Sequence, residues 1–135
     1  MSQQGLKTFE LLVEVNESDL DEMQHVNNVR YLQWVQDVAK AHWKSLTNQN
    51  LQNKFAWVVV SHLIHYKIPA ILGDKILIRT YIKESSGVTS VRVVEMYLAG
   101  SQQKLVEAET KWCLLNRKNL KPARIPDEII RLFQD

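Results

Sequence analysis

The stretch NVRYLQWVQDVAKAHWKSL, residues 28 to 46, decides the fold of this chain. Arg30, Gln33, Asp37, Lys40 and Lys44 recur at steps of three and four, which places them in one narrow stripe of a helix with about 3.6 residues per turn. Tyr31, Leu32, Trp34, Val35, Val38, Ala39, Trp43 and Leu46 occupy the other positions. A helix that is wet along one stripe and apolar around the rest has to be mostly enclosed, as if a sheet were wrapped around it.

The flanking sequence supplies the strands for such a sheet. Residues of about 7 to 15 place Phe9, Leu11, Val13 and Val15 on one face. After a polar stretch from Thr47 to Lys54, strand-like segments follow at about 56–67, 74–84, 88–99 and 104–116. Turn signals separate them at Leu72-Gly73-Asp74, Ser85-Ser86-Gly87, Gly100-Ser101-Gln102 and Asn116-Arg117-Lys118-Asn119. In the last segment Val106, Ala108, Thr110, Trp112 and Leu114 share one face, opposite Glu107, Glu109 and Lys111. Ile76, Ile78, Thr80 and Ile82 repeat the pattern. A short helix is predicted after Pro126, with Asp127 and Glu128 in its first turn. Short connections between the strands suit antiparallel pairing, so the class is α+β, one domain over residues 1–135. A single sheet over a single helix leaves edges to be covered, and a homodimer that extends the sheet would cover them.

Composition narrows the function. With 135 residues, 45% hydrophobic and 24% charged, the chain reads as an ordinary soluble globular protein. Apolar runs such as Trp57-Val58-Val59-Val60 are far short of the roughly 20 residues that span a bilayer, and Leu11-Leu12-Val13 is too brief for a signal peptide. A cytoplasmic location is therefore expected, with no membrane partner. The single Cys113 cannot form an internal disulfide and reads as a small buried hydrophobe. A net charge of +2 with scattered Lys and Arg implies no nucleic-acid partner. Such side chains could still meet the phosphates of a small ligand such as coenzyme A.

The chemistry lies just ahead of the helix, in DLDEMQHVNNVRY, residues 19 to 31. Carboxylates, an imidazole and carboxamides stand there before a helix N-terminus. An Asp can activate water or attack a carbonyl, and the free N–H groups of the first turn can hold the resulting oxyanion. The same residue types also serve as caps. Asp21 lies too far ahead to cap the helix, Asn27 is well placed to do so, and Asp19 reads as structural. His25 fits either an ordinary loop or a site. His62 and His65, three apart in a strand, point to opposite faces and gather no further metal ligands. Trp34, Trp43, Trp57 and Trp112 each read as core, although some should line an apolar tunnel beside the helix.

Asp19-Leu20-Asp21, His25-Val26-Asn27-Asn28, Tyr31 and Trp34 together resemble the signature of the hot-dog-fold thioesterases, in the 4-hydroxybenzoyl-CoA and acyl-carrier-protein branches. The tract Ile68-Pro69-Ala70-Ile71-Leu72-Gly73-Asp74 and Arg124-Ile125-Pro126 look similar too, so the likeness spans nearly the whole chain. It implies an antiparallel sheet around a long central helix and hydrolysis of an acyl-CoA or acyl-carrier-protein thioester. It also implies no metal or redox cofactor, and a site at the interface of a homodimer or homotetramer. Asp21 falls on the family's catalytic carboxylate, and Asn28 on the position whose N–H polarises the thioester carbonyl. His25 matches an active-site imidazole, with Asn27 and Tyr31 as substrate-contact positions. Met23 stands where the plant enzymes carry an Asn, and Gln24 where the bacterial form usually has Gly. The rival readings are a non-catalytic acyl-CoA or fatty-acyl binding module and a hot-dog dehydratase or hydratase.

Overall fold

The computed structural model describes residues 7–134. Strand β1 (Phe9–Glu14) is followed by helix α1 (Asn28–Leu46), a short helix α2 (Gln49–Lys54), strands β2 (Phe55–Tyr66), β3 (Lys75–Ser86), β4 (Thr89–Leu98) and β5 (Lys104–Asn116), and helix α3 (Asp127–Leu132). The five strands form one antiparallel sheet in the order β1-β3-β4-β5-β2. β1 and β2, successive strands in the chain, occupy opposite edges. α1 carries the chain between them across one face of the sheet, which is why its apolar surface has to be so wide.

Alternation decides what α1 meets there. Ile76 and Ile78 of β3, Val94 and Met96 of β4, and Val106 and Ala108 of β5 turn inward and are buried against Tyr31, Trp34, Val35 and Val38. Phe9, Leu11 and Val13 of β1 lean on the same cluster, as their spacing predicts. A second cluster closes the other end of the helix, where Phe55, Leu114, Ile125, Ile129 and Phe133 pack with Trp43, Leu46 and Trp57. On the outer face, charged residues pair across strands. Arg79 meets Glu10 at 2.7 Å and Lys104 meets Glu95 at 2.9 Å, while Glu107 of the same strand also pairs with Lys104, at 3.1 Å.

The predicted elements lie within two residues of the observed ones, with one correction. The polar stretch from Thr47 to Lys54 is not simply a connection, because residues 49–54 form α2. Asn48 caps that helix by accepting the Leu51 N–H at 2.9 Å, and the Gln49 amide donates to Asn53 at 2.7 Å. Six residues with a single apolar side chain are too few for a hydrophobic period to register.

Among the described residues β2 pairs on one side only, with β5, and its register slips between Val59 and Ser61. His62 accordingly sits opposite Thr110 and contacts its hydroxyl at 2.8 Å, whereas His65 is exposed opposite Glu107.

Candidate active site

The loop before α1 is folded into a small closed knot. The chain leaves β1 through a tight turn at Glu17–Asp19 capped by Asn16. Asp19 is only 6% exposed; its carboxylate accepts the Asn16 N–H at 2.9 Å and pairs with Arg30 of α1 at 2.9 Å. The chain then doubles back on itself. The Asp21 N–H donates to the His25 carbonyl at 2.7 Å, and the Asn27 N–H to that of Asp19 at 2.8 Å. The Val26 N–H donates to the Ala70 carbonyl at 3.0 Å, which ties the knot to the tract before β3. Gln24 turns the tip with φ of 62°. A side chain in this left-handed region costs about 1 kcal/mol or more, which explains why a glycine suits the position and why Gln24 is conspicuous there.

Within the knot Asp21 is half-buried, and its Oδ1 accepts two backbone N–H groups, from Met23 at 2.9 Å and from His25 at 3.1 Å. Among the described residues its Oδ2 has no partner. One oxygen is thus fixed while the other stays open. Asn27 is the helix cap, accepting the Val29 N–H at 2.9 Å. Asn28 is the first residue of α1 and is exposed, and its N–H has no acceptor among the described residues. It therefore presents a free donor at the positive end of the macrodipole.

Tyr31, one turn further on, is 2% exposed, and its hydroxyl accepts the Ala70 N–H at 3.1 Å. Burial raises its pKa; the Ala70 hydrogen bond opposes that, and the charges of Asp74 and Asp21 add to it, so the Asp21 carboxylate lies within electrostatic reach. The half-buried His25 joins the knot through its backbone, and its imidazole has no hydrogen bond among the described residues. Met23, Val29, Ile68, Ile71 and Leu72 form an exposed apolar rim, with Val29 the most open at 72%.

At the opposite end of α1 lies a cavity of about 800 Å³, walled by Trp43, Trp57, Trp112 and Phe133 among others. Three of the four tryptophans therefore line a pocket, while Trp34 belongs to the core. Two buried polar residues at this end were not singled out in the sequence. His42 lies four residues after Val38 on the buried face of α1, and Arg92 lies two residues before Val94 on the inward face of β4. Those spacings alone would have marked both as inward-facing.

A five-stranded antiparallel sheet wrapped over one long helix defines a protein of the hot-dog fold. The chain matches the acyl-ACP thioesterase N-terminal domain family over residues 7–133, belongs to that family, and is a thioester hydrolase. It is similar to the long-chain acyl-CoA thioesterase FadM of Escherichia coli, with 27% identity over 122 residues, 87% of this chain and 90% of that one. Many solved structures share its fold, and two illustrate the range. A 1,4-dihydroxy-2-naphthoyl-CoA thioesterase from Synechocystis superposes with a TM-score of 0.81 at 24% identity, covering 94% of this chain and 96% of the other. A 12:0-ACP thioesterase from Umbellularia californica gives 0.77 at 16% identity, covering 90% of this chain and 48% of the other.

Proposed function

We propose that this chain hydrolyses fatty-acyl thioesters of coenzyme A or acyl carrier protein, with Asp21 as general base or nucleophile and the Asn28 N–H as oxyanion donor. The half-occupied Asp21 carboxylate carries the reading. Oδ1, held by two N–H groups, fixes the orientation, and Oδ2 is left to take a proton from water or to attack the carbonyl. In the first case water adds to the thioester carbon and its proton passes to Asp21. In the second an acyl-aspartyl anhydride forms and water then cleaves it. Either way the carbonyl oxygen becomes an anion facing the Asn28 N–H, and its collapse expels a thiolate, a good leaving group.

Asn27 keeps the helix start in register by occupying the Val29 N–H, which leaves the Asn28 N–H to the substrate. His25 orients the thioester from across the loop. Tyr31, with its hydroxyl committed to Ala70, acts as a positioning residue that holds the 68–74 tract against α1. Substrate that enters over the Met23–Val29 rim would lay its apolar part there.

A homodimer supports the same site. β2 is twelve residues long with one free edge, and Val58, Val60, Leu63 and Tyr66 are exposed along it. Such an edge invites pairing with a second copy. The Tyr66 ring lies 5.7 Å from that of Tyr31, so antiparallel β2–β2 pairing would bring the partner's strand alongside the Asp21 knot. Among the described residues no helix is long and apolar enough to cross a membrane, and an unpaired, buried Cys113 suits a reducing compartment such as the cytoplasm.

The test is thiol release from a panel of acyl-CoAs and acyl carrier proteins. The reading expects turnover by the wild type that is lost in Asp21→Ala. Acyl-CoA binding with equally slow thiol release in both would favour a non-catalytic binding module.

A further inference from the structure

The cavity at the C-terminal end of α1 contains a buried charge that no carboxylate among the described residues neutralises. Arg92 is 4% exposed, and among the described residues it makes no ion pair. Its Nη1 donates to His42 Nδ1 at 2.9 Å and to the Thr80 hydroxyl at 3.0 Å, and its guanidinium carbon lies 5.8 Å from the centre of the Phe133 ring. None of these partners is an anion. Burial first, and the Arg92 charge second, push His42 down to about 3, so it is a neutral acceptor at physiological pH. Burial also pushes Arg92 down, to about 9, which still leaves it cationic. A cation this deep without a counter-charge is costly to the fold.

The unused hydrogen-bonding capacity there is of one kind. Arg92 Nε and Trp112 Nε1 are buried donors with no acceptor among the described residues, and both residues line the cavity. Lys40, Lys44 and Arg117 add three more cationic side chains to the lining, which among the described residues contains no Asp or Glu. Gln49, Gln52, Asn53, Ser85 and Ser90 are neutral polar groups of the lining, and the remaining walls are aromatic and aliphatic. Donors and positive charge beside aromatic and aliphatic walls, in a cavity of about 800 Å³, ask for a ligand that brings acceptors and negative charge on an apolar body.

We propose that this cavity binds a carboxylate carried on an apolar chain, with the carboxylate on Arg92 and the Trp112 N–H and the chain along Trp43, Trp57 and Phe133. Along α1, Ala39 at the cavity is about 16 Å from Asn28, at about 1.5 Å of rise per residue, so within one protomer this is a separate site from the Asp21 knot. The inference stands on the cavity's own residues and does not depend on the role assigned to Asp21.

Decanoate and 1-decanol, titrated against the full chain and followed by tryptophan fluorescence, test it. The wild type should bind decanoate about tenfold or more tighter than the alcohol, as a charge-assisted contact supplies. Arg92→Met should abolish that preference and keep binding of the alcohol. Equal affinities in the wild type, or a preference that survives in a folded Arg92→Met, would overturn the proposal; the wild-type comparison stands even if the variant misfolds. Two sources of the carboxylate are then separable. Decanoate that binds without competing with decanoyl-CoA turnover assigns the cavity to a free acid, and an Arg92-dependent preference for sebacoyl-CoA over decanoyl-CoA assigns it to the far end of a substrate; either result supports the proposal.

Discussion

The two ends of α1 are built on opposite plans. At its N-terminus, backbone hydrogen bonds fold residues 19–27 into a polar knot open to solvent, and in the proposed mechanism the charge to be met there is a transient one on a substrate oxygen. At its C-terminus, aromatic side chains enclose a chamber around a permanent, buried cation. The contrast follows from chain topology. The helix start is fed by a loop whose peptide groups are free to converge on one carboxylate, whereas the helix end is capped by α2, β2 and α3, which bring large side chains. The open donor of the first end suits the chemistry proposed there, and the enclosed cation of the second suits the recognition by shape and charge proposed for it.

The largest effect that would break this comparison is at the aromatic end. Phe133 is 6% exposed, stacks on Trp43 and meets the edge of His42, so Phe133→Ala is expected to lower unfolding free energy by about 3–5 kcal/mol. Urea unfolding measures it, and a loss below about 1 kcal/mol would mean that this end is loosely packed. At the polar end, Tyr31→Phe removes one oxygen and strands the buried Ala70 N–H, with an expected loss of about 1–3 kcal/mol. Thiol-release rates should fall with it, because the 68–74 tract loosens against the knot.

His42 adds an acid-side pH dependence at the aromatic end. Its folded pKa of about 3 lies below the ordinary value of 6.5, so between these values the unfolded chain binds more protons than the folded one. Stability is therefore full above pH 6.5 and declines as pH falls toward 3, with His42 contributing up to about 1.4 kcal/mol per pH unit. Melting temperatures of the wild type and His42→Gln between pH 7 and 4 should show a shallower decline in the variant; parallel curves would remove His42 from the account. The smallest expected effect is at the tip of the knot. Gln24→Gly relieves the left-handed backbone but loosens the unfolded chain, for a net gain of about 0.5 kcal/mol by thermal denaturation.

Legibility in the sequence divides along the same line. The polar knot was readable because its residues are contiguous: Asp21, His25 and Asn27 fall in one loop that runs into an amphipathic helix at Asn28, and the helix bounds followed from the stripe Arg30 to Lys44. The geometry that fixes Asp21 was not, since the acceptance of two N–H groups by one oxygen depends on backbone turns, with Gln24 at positive φ. Nor was the far cavity, whose walls come from four separate stretches of chain, or Arg92, which looks like one more strand charge until its parity with Val94 and Met96 is noticed. α2 escaped because capping by Asn48, not hydrophobic period, is what starts it.

Replacing one atom of Asp21 tests the central claim most directly. An Asn at this position can still accept the Met23 and His25 N–H groups through its own Oδ1, so Asp21→Asn preserves the knot and removes only the open, charged oxygen. Thiol release from the best acyl-CoA is predicted to drop by about 10²–10⁴ with the melting temperature essentially unchanged. A folded Asp21→Asn protein that hydrolyses at the wild-type rate would contradict the account and leave Asp21 as a structural residue of the loop.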